Sequence, residues 1–207
     1  MNKKSIYTGI AIAAGAALII AAAIIVYKRT RFSCKNSYLF IGDSNTAGST
    51  SYADKFIKKC KNPKNKKIAK VGAKTSWMLP QLEEELKKNK YDVVTILAGS
   101  NDIFATLSIK EAKQNMDRML RMIKDSGAKA VVITPPFKGY YTRTTDKHWA
   151  LIKEWNKYLK SHKIPVAFID FSNIVKDKSL FASDNQHVNS TGHQVLADAF
   201  SDKLKIA

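Results

Sequence analysis

The chain has 207 residues, is 45% hydrophobic and carries a formal net charge of +18. That length suits one ordinary domain with a full core, and that apolar content excludes a disordered chain. The charge admits anionic partners, but its one dense run, Lys58 to Lys67, lacks interleaved aromatics and matches no nucleic-acid motif; it reads as a solvated loop, and no nucleic acid is expected.

The first predicted element is a membrane helix. Residues 5–27 carry no charge. From Ile6 to Tyr27 a helix would span ~33 Å, enough for a hydrocarbon core about 30 Å thick. Tyr7 and Tyr27 stand at its ends, where amphipathic rings prefer the interface. The rival reading is a cleaved signal peptide, against which the apolar stretch is long. Residues 1–35 are therefore expected to form an anchor with a basic flank, and 36–207 a soluble domain. Lys28, Arg29 and Arg31 outnumber Lys3 and Lys4, so the positive-inside tendency places that domain in the cytoplasm. Cys34 and Cys60 make neither a disulfide framework nor a CxxC site; one bridge and two free thiols both stay open.

Beyond the anchor, apolar runs alternate with helical patterns. Residues 37–41, 67–72, 91–99, 128–136 and 165–171 read as short strands, rich in β-branched residues and buried on both faces. Helical stretches separate them. Ala112, Met116, Met119, Leu120 and Ile123 recur at helical spacing, as do Leu151, Ile152, Trp155 and Leu159; both stripes read as core. Residues 76–89 fill the gap before the third strand as a helix that Pro80 is expected to open or kink. Residues 189–204 close the chain as a helix. This alternation predicts a parallel sheet covered on both faces, with chemistry at the carboxyl ends of its strands.

Polar groups gather at those ends. Gly42-Asp43-Ser44 follows the first strand, Gly72 the second and Gly99-Ser100-Asn101-Asp102 the third, while Asp184 lies three residues before His187. Each has an ordinary reading: Ser44 as a turn or cap, Asp43 as a loop-shaping residue, Asn101 as a turn and Asp102 as a helix cap. Ser100 is a rival nucleophile. His193 reads as structural, and His148 and His162 as surface or packing residues. A hydroxyl, an imidazole and a carboxylate together would supply nucleophile, base and orienting group. No His/Cys/Asp cluster has metal-ligand spacing, so neither metal nor cofactor is expected.

The four blocks, "IGDSNTAG", "VGAKTS", "AGSND" and Asp184-x-x-His187, together resemble the SGNH, or GDSL, hydrolase family over about residues 37–205. The resemblance implies a flavodoxin-like three-layer α/β/α sandwich of about five parallel strands. It implies Ser44, His187 and Asp184 as a catalytic triad, with an oxyanion hole formed by the Ser44 and Gly72 N–H groups and the Asn101 side chain. No G-x-S-x-G elbow is present, which argues against the α/β-hydrolase fold proper. The expected activity is that of a membrane-anchored serine esterase cleaving short acyl esters, such as O-acetyl groups on carbohydrate. Alternatives are a lysophospholipase- or thioesterase-type lipid esterase, an O-acyltransferase and, last, a non-catalytic binding module. Family habit places such a domain outside the cytoplasm, against the flanking charge, so the membrane side stays open. Residues 137–149 are expected to overhang the site and set substrate choice.

Overall fold

Five short apolar runs become five parallel strands in the computed structural model, which describes residues 32–136, 144–165 and 167–206. The strands are β1 (Tyr38–Gly42), β2 (Lys66–Ala69), β3 (Val93–Leu97), β4 (Lys129–Ile133) and β5 (Ala167–Ile169), in the order β2-β1-β3-β4-β5. This is the flavodoxin-like order, which reverses direction between β1 and β3. The helices are α1 (Ser44–Ala47), α2 (Tyr52–Cys60), α3 (Thr75–Lys88), α4 (Ser100–Thr106), α5 (Lys110–Asp125), α6 (Asp146–Ser161), α7 (Phe171–Ile174) and α8 (Ser190–Lys203). One compact unit begins at Cys34. The expected anchor at 6–27 lies outside the described residues; among those described, no helix is long and apolar enough to cross a membrane.

Strand alternation sorts the core into two layers, because successive side chains point to opposite faces. Leu39, Ile41, Val94, Ile96 and Val132 join a cluster with Met78 and Leu82 of α3, the Met116–Ile123 face of α5 and Trp155 of α6. Tyr38 and Phe40 meet an aromatic layer instead. Phe56 of α2 lies 4.7 Å from Tyr38, and Phe200 of α8 lies 5.0 Å from Phe56, both edge to face. Such pairs add about 0.5–1.5 kcal/mol beyond their buried area.

Two local expectations changed. Helix α3 covers nearly the stretch expected, starting at Thr75, so Pro80 lies inside the helix and does not open it. Its first turn is held by a distant residue: both Asp102 carboxylate oxygens accept from the Thr75 N–H at 3.1 Å, and Thr75 Oγ donates to one of them at 2.6 Å. Pro80 itself is exposed, with Met78, Leu79 and Leu82 buried around it. The cysteine question closes as well: Cys34 and Cys60 form a disulfide, with Cα atoms 4.7 Å apart.

His193 is buried on α8, and its Nδ1 has no partner among the described residues. Burial, with Lys55 nearby, pushes its pKa down from 6.5 to about 4. The unfolded chain takes up this proton near pH 6.5, the folded protein only near pH 4. The stability attached to neutral His193 is therefore complete above about pH 6.5 and is lost as the pH falls toward 4. The loss is expected to reach about 3 kcal/mol between pH 7 and 4. Urea unfolding of the wild type and His193→Gln at both pH values checks it, the variant showing the flatter dependence.

Candidate active site

The site begins with the tight turn out of β1. Gly42 packs so closely on the next helix that a Cβ there would lie 2.2 Å from Thr46 Oγ1. Asp43 caps α1, its Oδ1 accepting the Asn45 N–H at 3.0 Å, and this places Ser44 as the first helical residue. Burial pushes the Asp43 carboxyl up, opposed by hydrogen bonds from Ser100 and the Asn45 N–H.

Direct bonds hold the loops after the first three strands together. Lys70 N–H donates to the Gly42 carbonyl at 3.3 Å. Ser100 Oγ donates to Asp43 Oδ2 at 2.7 Å, and the Asn101 amide to the Ala73 carbonyl at 3.0 Å. Gly72 therefore sits one residue from a partner of Asn101. Its φ of +72° is a left-handed conformation that glycine adopts at little cost. Neither the Ser44 nor the Gly72 N–H donates to an acceptor among the described residues. The Asn101 amide carries a second hydrogen beyond the one given to Ala73.

The fourth component arrives on a tight loop before α8. Phe181 and Val188 form an antiparallel bridge, and Ala182 N–H donates to the His187 carbonyl at 2.8 Å. Asn185 takes a φ of +55°, which a short polar side chain tolerates. Asp184 Oδ1 accepts the N–H groups of Gln186 and His187 at 2.9 and 3.0 Å, while its Oδ2 lies 2.5 Å from His187 Nδ1. His187 Nε2 then stands 3.0 Å from Ser44 Oγ, across 143 residues of chain. Burial pushes the Asp184 carboxyl up, but the bonds from the His187 ring and backbone and from Gln186 outweigh it, and the group titrates below the ordinary carboxylate range. The Asp184 and His187 side chains are 45% and 38% exposed, so the site opens to solvent.

An ionised carboxylate only accepts hydrogen bonds. Nδ1 of His187 must then carry the proton toward Asp184, which leaves Nε2 to accept from the Ser44 hydroxyl. Ser100, the rival nucleophile, is turned toward the buried Asp43 carboxylate. His148 serves in the capping box of α6, and His162 Nε2 meets Asp117 at 3.0 Å; both stand apart from this hydrogen-bond chain. Among the described residues, no group of three or more His, Cys, Asp or Glu could hold a metal ion.

Three supporting residues escaped the motif reading. Asn45 Oδ1 accepts the Val188 N–H at 3.4 Å, tying the serine loop to the histidine loop. Asn189 caps α8 through Gly192 N–H and donates to the Ser179 and Phe181 carbonyls. A Cβ on Gly192 would lie 2.4 Å from the Leu180 carbonyl oxygen. Only Asn189 had a legible signal, an Asn directly before a helical pattern.

A parallel α/β sheet with hydroxyl, imidazole and carboxylate in series at its carboxyl edge is the architecture of a serine hydrolase acting on carboxylic esters. The family model for the GDSL-like Lipase/Acylhydrolase family matches residues 40–195, and the chain belongs to that family. Its fold is similar to a catalytic mutant of an acetylxylan esterase from Geobacillus stearothermophilus, at 17% identity and a TM-score of 0.67, over 86% of this chain and 97% of that one. A GDSL-like lipase from Bacteroides thetaiotaomicron matches at 17% and 0.66, over 83% and 88%. A psychrotrophic esterase from Pseudoalteromonas sp., inhibited by monoethylphosphonate, matches at 17% and 0.60, over 82% and 97%. No curated protein sequence matches significantly.

Proposed function

We propose that this serine ester hydrolase removes short acyl groups, acetyl foremost, from carbohydrate through an acyl-enzyme on Ser44. The observation that carries the catalytic part is the unbroken chain Ser44 Oγ–His187–Asp184, at 3.0 and 2.5 Å. His187 Nε2 takes the Ser44 proton as Oγ attacks the ester carbon. Asp184 stabilises the resulting imidazolium. The carbonyl oxygen gains negative charge and is met by the Ser44 and Gly72 N–H groups and the free hydrogen of the Asn101 amide. Imidazolium then protonates the leaving alkoxide, and the alcohol departs. Water enters, gives its proton to Nε2 and attacks the acyl carbon; collapse releases the acid and returns the proton to Ser44.

The substrate reading has separate support. The fold is similar to that of one acetylxylan esterase, seen in two of its mutants, and the partial exposure of His187 and Asp184 leaves room for a bulky polar alcohol. Tyr140, Tyr141 and Arg143, expected to overhang the site, lie outside the described residues; as residue types they suit sugar stacking and an anionic group equally well. The Cys34–Cys60 disulfide supports a catalytic body outside the reducing cytoplasm, held by the anchor read at 6–27. Protease access to the domain in intact cells tests that side.

Residues 33–207 are expected to cleave p-nitrophenyl acetate faster than long-chain esters and to release acetate from O-acetylated xylan. A serine-reactive phosphonate should label Ser44 alone. Preference for long acyl chains would overturn the carbohydrate assignment, and labelling elsewhere would overturn the nucleophile. Asn101→Ala is expected to lower kcat by about 10²–10³-fold with little change in KM, because its donor acts on charge present only in the transition state. Steady-state kinetics on p-nitrophenyl acetate measure that split.

A further inference from the structure

The two edges of the sheet differ sharply in charge. At the amino edge, helices end and strands begin; there residues 34–37, 58–66, 87–92, 124–129, 160–165 and 203–206 hold fifteen lysines against two aspartates. At the carboxyl edge, residues 43–51, 70–76, 98–111, 144–147 and 170–189 hold six lysines against seven acidic residues. Helix polarity accounts for part of this, since cations favour C-terminal turns. It does not account for Lys35, Lys64, Lys66, Lys90, Lys129 and Lys163, which lie outside the helices. Pairing offsets part of the excess: Lys66, Lys87 and Lys88 meet Glu85, Glu83 and Glu84, and Lys129 interacts with Asp92. Lys64, Lys66, Lys88 and Lys90 line one open cleft of about 530 Å³.

The chain joins the domain at this same edge. The disulfide binds Cys34 to Cys60, and Asn62 Nδ2 lies 3.0 Å from the carbonyls of both Lys35 and Asn36. Residues 28–33 alone separate Cys34 from the uncharged apolar run ending at Tyr27. Six residues extend at most ~20 Å.

We infer that the amino edge of the sheet docks on anionic lipid headgroups, its lysines against their phosphates, and turns the esterase edge away from the bilayer. The five residues of β1 separate the two edges by about 16 Å. The inference rests on the anchored-esterase reading and narrows it: the ester cleaved stands beyond the headgroup layer and is not an acyl bond of the docked bilayer. An acidic polymer would meet the same charge, but only a bilayer also explains why the excess surrounds the point where the chain arrives.

Vesicle binding tests this with residues 33–207, the body whose fold match spans 97% and 88% of two solved chains. Sedimentation is expected with phosphatidylcholine vesicles containing about 30% phosphatidylglycerol, and not with pure phosphatidylcholine. Binding should disappear at about 0.5 M salt, where screening is nearly complete. The triple variant Lys64→Glu, Lys88→Glu, Lys90→Glu should bind about 100-fold or more weakly while cleaving p-nitrophenyl acetate at the wild-type rate. Lys70→Glu, Lys74→Glu, Lys178→Glu makes the same change in net charge on the opposite edge and should sediment like the wild type. Equal losses in both triples, no binding to anionic vesicles, or tighter binding to duplex DNA than to vesicles would overturn the docking face. Sedimentation reports docking and turnover reports the hydrolase, so either reading can fail alone.

Discussion

Ser44→Ala is expected to lower kcat/KM for p-nitrophenyl acetate by about 10⁴–10⁶-fold. In the proposed mechanism the serine contributes the bond-forming oxygen, and water placed by the remaining groups is a poor substitute. His187→Ala should cost about as much, and the double variant little more, because nucleophile and base act as one unit. Asp184→Asn should cost about 10⁴-fold: the amide can present a donor to Nδ1 and stabilise the wrong tautomer. None of the three is in the core, so each variant should melt within about 2 °C of the wild type, as surface substitutions usually do. Wild-type turnover in Ser44→Ala would place the nucleophile elsewhere.

A second large effect is expected on stability. Gly99 has a φ of +109°, and a Cβ there would lie 2.3 Å from Cε2 and Nε1 of Trp155. Trp155 is fully buried and donates Nε1–H to the Ala98 carbonyl at 2.8 Å. In Gly99→Ala the indole cannot retreat without losing that bond and its packing. The alternative is a shift of the loop that carries Asn101. A strained backbone and an overpacked contact together should cost about 3–4 kcal/mol. For a body of this size that lowers Tm by roughly 10 °C. Chemical denaturation measures the loss, and kcat should fall with it. A cost below about 1 kcal/mol would mean that the loop relaxes freely.

Docking on an anionic surface would explain a composition that the catalytic site does not need. The charge sits at the edge away from Ser44, so it neither steers substrate to the nucleophile nor holds an oxyanion. If docking fails, the lysines are an ordinary solvated charged face.

Much of this molecule was legible from residue order. Strands buried on both faces must be nearly continuous apolar runs, so β1, β3 and β4 stood out, whereas the half-exposed β2 was blurred. The Met and Trp stripes of α5 and α6 marked their buried sides, because helical period and burial are the same fact. The motif blocks named Ser44, Gly72, Asn101, Asp184 and His187, since each chemistry needs its own residue type.

Folding alone decided the rest. Asp102 holds the first turn of α3 from 27 residues away, so Pro80 lies inside that helix and does not open it. The bond between Asn45 and Val188, the disulfide across 26 residues and the collision awaiting a side chain at Gly99 all depend on strand order and register. So does the gathering of scattered lysines at one edge. Periodicity reports which side of its own element a residue faces; which distant group it faces is settled only when the crossovers stack the strands.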